Sequence, residues 1–216
     1  MSIDLPFVTR TLLIANIAIY LLQQLVGDPM IYHFALWPWG EQSGRASDGS
    51  IITVGFQFWQ VVSYGFLHGN FYHLLFNMLA LYMFGGPIER LFGAREFAIY
   101  YVVCVIGAAL AQLVVVAWFT GGFYPTLGAS GGVFGVLLAF GMMYPRATIM
   151  PLFPPIPMPA WLFVTLYGGL ELFLGVSGSQ SGVAHFAHLG GMLGGYVLIQ
   201  YWRGRLPIKP RRQLTR

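Results

Sequence analysis

Charged residues are scarce: Asp, Glu, Lys and Arg make up 8% of the 216 residues, against about a quarter in soluble domains. Such a chain cannot clothe a water-exposed globular surface, and a soluble protein is excluded. Cysteine is nearly absent too. Cys104 stands alone in an apolar run, which rules out an intramolecular disulfide, leaves the redox compartment unread and suits a core position. Met1 to Pro6 carries Asp4 but no basic stretch and no small-residue cleavage site, so the first apolar run reads as a retained span rather than a removed leader. No H-E-x-x-H occurs, which removes a common helical zinc signature.

What is present is apolar. Hydrophobic residues form 57% of the chain and the mean hydropathy is +0.69, as expected of an all-α membrane protein. Six spans of about 20 residues with short loops fit this length as one domain, 1–216. Apolar runs lie near Val8–Val26, Phe71–Ile88, Phe97–Phe119, Leu127–Tyr144, Trp161–Val176 and Val183–Trp202, so a six-transmembrane-helix bundle is expected. Phe56 to Leu67 is also apolar, but Gln57, Gln60, Ser63 and His68 interrupt it and Trp59 suits an interface. It is read as part of a long first loop dipping into the headgroups, and Gly27–Gly55, with Trp37, Pro38 and Trp39, as an interfacial insert. Pro145 to Pro159 holds six prolines in fifteen residues and reads as a stiff connector that stops the fourth helix sharply.

The net charge of +4 comes from the tail, 203–216, with Arg203, Arg205, Lys209, Arg211, Arg212 and Arg216. By the positive-inside rule the C-terminus is cytoplasmic. Counting back, the loop before the last span has no Lys or Arg, the next has Arg146, the next none, the next Arg90 and Arg95, and the first loop only Arg45. Arg10 puts the N-terminus inside as well. The second, fourth and sixth spans then descend from the outer face, and each carries polar residues near its start. Ser130 and His188 lie roughly 5–8 Å below the expected helix starts, with His73 and Asn77 at a similar or slightly greater depth.

That layer has the chemistry of acyl transfer. A serine hydroxyl is a weak nucleophile until a neutral imidazole within about 2.6–3.2 Å accepts its proton. Ser130, in Gly128-Ala129-Ser130-Gly131, is the candidate nucleophile, and His188, in Ala187-His188, the candidate base. Gly131 and Gly135, and likewise Gly191 and Gly195, are four apart, a pattern that lets two helices touch. His73 and Asn77, on one helix face, and the backbone N–H of Ser130 are candidate donors to an oxyanion. His68 braces the site. Glu171 is the one carboxylate well inside a span; it either orients His188 or lines an interface or cavity, and the reading adopted is a Ser–His dyad. His185 is read as interfacial.

Plainer readings stand beside each of these. A lone intramembrane serine usually bonds its own helix, and glycine-rich faces usually mean close packing. His188 could be a satisfied bundle histidine, although a histidine in lipid is costly and its default reading is functional. A metal site on His68, His73 and Asn77 lacks a carboxylate ligand. Gly128 to Gly132 also fits G-x-S-x-G, but that elbow needs a soluble parallel sheet.

With these residues in view, the chain resembles the rhomboid family of intramembrane serine proteases from about Phe58 to Tyr201. The resemblance rests on Trp59-Gln60, His68-xxxx-His73-xxx-Asn77, Gly85-xxx-Glu89-xxx-Gly93, Gly128-Ala129-Ser130-Gly131 and Ala187-His188-xx-Gly191-xxx-Gly195, in that order. It implies a core of about 58–203, a Ser130–His188 dyad, oxyanion stabilisation by His73, Asn77 and the Ser130 amide, and no metal or other cofactor. Glu89 would tie helix ends and loops together, or else partner Arg90 or Arg95. Gln60 departs from the Trp-Arg often found there, which leaves open how the first loop is braced. The expected function is endopeptidase cleavage of transmembrane protein substrates near the outer face of a bacterial plasma membrane, with the lipid bilayer as surroundings and no nucleic acid. The alternatives are an inactive relative that only binds transmembrane helices, or a small transporter, for which paired charges and an internal repeat are missing.

Overall fold

The structure is a computed structural model that describes residues 5–45, 49–152, 154–177, 184–208 and 210. Met1 to Asp4, Val183, Lys209, Arg211, Arg212 and Arg216, used above for the start of the chain, the last span and the tail, lie outside the described residues. The rest is mostly helical. Helix α1 (Phe7–Val26) ends at Gly27, whose φ of 76° a side chain would resist. A short helix α2 (Asp28–Phe34) and a hairpin of β1 (Glu41–Arg45) and β2 (Ile51–Gly55) follow. Next come the single turn α3 (Gln60–Ser63) and a 3₁₀ turn over Tyr64–Phe66.

The second span is continuous over Phe71–Phe92. It starts at Asn70, whose side chain accepts the His73 amide as an N-cap. It comprises α4 (Phe71–Ala80), a wide π turn over Leu81–Gly85, and α5 (Gly86–Phe92). Pro87 explains the wide turn: it lacks an N–H and its ring crowds the carbonyl four residues back, so the helix loosens ahead of it instead of breaking. Helix α6 (Ala94–Val115) runs on through a π turn to Thr120, and α7 (Ser130–Met143) is only 14 residues long. A two-residue ladder, β3 (Thr148–Ile149) with β4 (Met158–Pro159), leads into α8 (Ala160–Ser177), and α9 (His185–Trp202) closes the bundle.

Four of these helices, Phe7–Val26, Phe71–Phe92, Ala94–Thr120 and Ala160–Ser177, are long and apolar enough to cross a membrane. Among the described residues a helix overlaps each of the six expected runs, but at about 1.5 Å per residue α7 covers roughly 21 Å, short of a 30 Å hydrocarbon core. Helix α1 shows the environment in its own pattern. Its buried residues are Thr9, Asn16 and Gln23, one polar stripe seven residues apart, while Phe7, Ile14, Leu21 and Leu25 face outward. Polar inward and apolar outward is the arrangement a lipid solvent favours.

Helix α7 lies at the centre, packed between α6 and α9, with Gly131, Gly132, Val133, Gly135, Val136, Leu137, Ala139 and Gly141 buried. Cβ atoms would not fit there. One on Gly191 would collide with the Gly131 carbonyl, one on Gly135 with Cys104, one on Gly195 with the Tyr100 hydroxyl, and one on Gly131 with Ala108. The sequence pointed to helices four and six alone; the structure adds Gly107 of α6, where a Cβ would lie 2.9 Å from the Gly190 carbonyl.

Three expectations change. Phe56 to Leu67 is not a plain loop: it holds α3 and the 3₁₀ turn, and Gln60, Tyr64, Gly65 and Leu67 are buried, with the Tyr64 hydroxyl donating to the Val105 carbonyl at 2.8 Å. The fourth helix begins at Ser130 and not Leu127, because Gly128 has φ 132° and turns the chain. The proline-rich connector is in part a paired ladder, with Ile149 buried.

Candidate active site

Ser130 is the first residue of α7, so its amide is one of the first-turn N–H groups that have no acceptor within the helix. Gly128, two residues earlier, donates its N–H to the Tyr64 carbonyl at 3.0 Å. His188 is in the first turn of α9, brought over Ser130 by the Gly131–Gly191 contact. Its Nε2 lies 2.8 Å from the Ser130 Oγ. The imidazole stacks on Phe134 with ring centroids 4.4 Å apart and planes 5° apart, which fixes the ring plane.

The Nδ1 edge of the imidazole meets a carboxylate. Glu171 of α8 places Oε2 2.9 Å from His188 Nδ1 and 2.7 Å from His185 Nδ1. An ionised carboxylate only accepts hydrogen bonds, so each histidine donates from Nδ1 and His188 presents a lone pair on Nε2 to the serine. The sequence reading left Glu171 between an orienting and an interfacial role and put His185 at the interface. In the structure His185 is buried, 4% exposed, and Glu171 hydrogen-bonds both histidines. His185 lies one helical turn from His188, the spacing at which one carboxylate reaches both.

Across the cavity, Gly69 donates its N–H to His73 Nδ1 at 3.4 Å, which leaves the ring proton on Nε2. That edge lies against Gly128, where a Cβ would come within 2.7 Å of both Cε1 and Nε2. Asn77, one turn further, is buried and spends one amide hydrogen on the His73 carbonyl at 2.9 Å. Ser130, His188, His73 and Asn77 line one cavity of about 990 Å³, whose walls include Tyr72, Phe76, Met83 and Tyr167. His68 stands behind it. Its ring meets that of His73 edge-on at 5.1 Å, and Gln23 of α1 bonds its backbone on both sides, accepting from the N–H at 3.1 Å and donating to the carbonyl at 2.8 Å. Burial, with His73 beside it, pushes the His68 imidazole down to about 4, so it is neutral.

Of the His68/His73/Asn77 set, His73 and Asn77 line the cavity and His68 packs edge-on against His73. Among the described residues, Glu171, His185 and His188 form a His/Cys/Asp/Glu set with ligand atoms at metal-binding spacing, within 4.8 Å of one another. A cation on His188 Nδ1 would force the ring proton onto Nε2, so a metal there and a base at Ser130 exclude each other.

Residues 55–205 match the rhomboid domain. The chain belongs to the rhomboid family. It is similar to Rhomboid protein 1, mitochondrial, of Saccharomyces cerevisiae, 32% identical over 152 residues, which cover 63% of this chain and 40% of the relative. Rhomboid protease GlpG of Serratia proteamaculans is 28% identical over 189 residues, 88% of this chain and 60% of the relative. Rhomboid protease GlpG of Yersinia pestis is 25% identical over 197 residues, 91% and 63% respectively. The chain therefore spans less than two thirds of the length of these relatives. Membership and the apolar helices together make it a multi-pass integral membrane protein of all-α class.

Within this rhomboid, Gln60 resolves how the first loop is braced without an arginine. Fully buried, its Oε1 accepts from the Trp37 and Gln57 amides at 3.2 and 3.1 Å, and its Nε2 donates to the His33 and Gly55 carbonyls at 3.4 and 3.3 Å. Glu89 is buried as well. It accepts from Val8 N–H at 2.8 Å and from the N–H and hydroxyl of Thr9 at 2.7 Å each, capping the start of α1. Sequence reasoning missed Phe134 and Tyr64, for an apolar ring or a tyrosine in such a chain carries no signal of its own.

Proposed function

We propose that this rhomboid is an intramembrane serine endopeptidase acting on transmembrane segments of other membrane proteins. The observation that carries the reading is the 2.8 Å contact of His188 Nε2 with Ser130 Oγ on the wall of a 990 Å³ cavity. As a substrate carbonyl enters, Ser130 Oγ attacks its carbon and passes its proton to His188 Nε2. The carbonyl oxygen, now an oxyanion, is stabilised by the Ser130 amide, the His73 Nε2–H and the free amide hydrogen of Asn77, donors of the kind that contribute about 2.7–4 kcal/mol each. Collapse transfers the proton from His188 to the leaving amine and leaves an ester on Ser130. Water, deprotonated by the same imidazole, releases the acid and restores the serine. Unwound or small-residue stretches are the expected cleavage region, since an intact helix hides its carbonyls in its own hydrogen bonds.

The remaining expectations belong to the same proposal: six spans, a single domain with a basic cytoplasmic tail, both termini cytoplasmic, the active site toward the outer face, and a bacterial plasma membrane. The outward apolar residues support the spans, and the distribution of Lys and Arg supports the orientation. The test is cleavage of a single-span model substrate by purified protein in liposomes. Wild type cleaves and its Ser130 is labelled by a fluorophosphonate; Ser130→Ala and His188→Ala stay folded at background; chelators leave the rate undiminished. Cleavage by Ser130→Ala, or activity lost on metal removal and restored by zinc, overturns the assignment.

A further inference from the structure

We propose that Glu171 and His185 are positioning residues for this chemistry: the Glu171 carboxylate holds the His188 proton on Nδ1, and the His185 N–H holds the carboxylate. The inference rests on the Ser130–His188 reading and deepens it from a pair to a chain of four hydrogen-bonded residues. Its atoms form one connected line across three helices. Ser130 Oγ on α7 meets His188 Nε2 at 2.8 Å, His188 Nδ1 meets Glu171 Oε2 at 2.9 Å, and the same oxygen meets His185 Nδ1 at 2.7 Å.

Each link does something the others do not. Phe134 fixes the plane of the His188 ring but cannot choose which nitrogen carries the proton. Glu171 chooses it, because an acceptor at Nδ1 leaves the Nε2 lone pair facing the hydroxyl. When His188 takes the Ser130 proton, the carboxylate faces the new imidazolium, so charge formed in the transition state finds its counter-charge in place. The proton moves from Oγ to Nε2 and later to the leaving amine; Glu171 stays ionised and each histidine keeps its Nδ1 proton throughout. His185 is needed because a carboxylate on an apolar helix is costly without donors. The groups facing His188 are Ser130 on α7, Glu171 on α8, His185 on its own helix, and His73 across the cavity on α4. Of these only Glu171 is an anion.

A merely structural carboxylate would set stability and leave the base alone, so the test reads the base. Full-length protein in liposomes is assayed with a single-span substrate across pH, beside fluorophosphonate labelling of Ser130 and thermal unfolding. Glu171→Gln keeps the shape and loses the charge. The expected result is a kcat lower by about a hundredfold or more with KM little changed, and labelling slowed in step. The acid limb of kcat/KM moves down by about one pH unit, because the imidazole loses the anion that favours its charged form. His185→Asn keeps an N–H at the position of Nδ1 and should exceed His185→Leu in kcat by about tenfold. If Glu171→Gln fails to fold, the His185 pair carries the test. A folded Glu171→Gln with wild-type kcat and an unmoved acid limb, or His185→Asn no better than His185→Leu, overturns the proposal. Cleavage by Ser130→Ala, which leaves Glu171 untouched, instead overturns the proteolytic reading beneath it.

Discussion

Replacing Gly191 with alanine adds one methyl group where the bundle has no room for it. Its Cβ would fall on the Gly131 carbonyl oxygen, with the Gly131 Cα only 3.1 Å away. Carbon and oxygen need about 3.5 Å, and the obstacle is backbone, so α9 must withdraw from α7 by about 1 Å or more. Overpacking of this kind costs about 1–3 kcal/mol and more where backbone cannot yield. The same withdrawal acts on the site, because the 2.8 Å contact between His188 and Ser130 joins the same two helices. Lengthened by about 1 Å it is no longer a hydrogen bond. Gly169→Ala on α8 is the control, since nothing lies within 4 Å of its added carbon and the helix gains up to about 1 kcal/mol from alanine. Thermal unfolding in detergent and the rate of fluorophosphonate labelling give the two readouts. Gly191→Ala should lose both stability and labelling, and Gly169→Ala neither. A Gly191→Ala protein that melts and labels like the wild type would refute the view that this glycine contact sets the catalytic distance.

Three further outcomes follow from the same geometry. Asn77→Ala and His73→Ala should each lower kcat by roughly tenfold to a thousandfold with a smaller change in KM, leaving activity between background and wild type; wild-type turnover in both would reduce the second span to scaffold. His68 sits at about 4 when folded, against its ordinary 6.5. Its contribution is therefore complete above pH 6.5 and is lost as pH falls towards 4, by at most about 3 kcal/mol. Thermal midpoints measured over that range should fall less steeply for His68→Gln than for the wild type, and parallel curves would contradict this. Glu89→Ala strands three donors at the start of α1 and should cost about 2–4 kcal/mol in unfolding, while Ser130 in the folded fraction still labels; an unchanged midpoint would show that the cap is dispensable.

The sequence made the bundle legible because lipid is a demanding solvent. Apolar runs had to be spans, and polar groups inside them had to have a reason, which is how Ser130, His188, His73 and Asn77 drew notice before any geometry was known. Boundaries were less legible. Leu127 extends an apolar run, yet hydropathy cannot register the turn at Gly128 that makes Ser130 a helix N-terminus and frees its amide. His185 was misplaced for a related reason: one turn nearer the helix start reads as nearer water, whereas a carboxylate arriving from another helix buries it. Glu171 could not be paired from sequence, since nothing local says which face of α8 meets α9. Gln60 broke the expected Trp-Arg pattern, and only the loop's path shows four backbone groups converging on its amide.

The polar groups around the cavity are consecutive in space. Gln23 of α1 grips the backbone of His68, whose ring lies on His73; His73 abuts Gly128, which leads into Ser130. From there the contacts pass to His188, Glu171 and His185. A polar residue in an apolar medium is tolerable mainly beside another, so each member lowers the cost of its neighbours, and the set tends to be complete or absent. Such a chain also behaves as a unit. Losing one member changes the proton position or the packing of the next, so the effects of paired substitutions along it should not add.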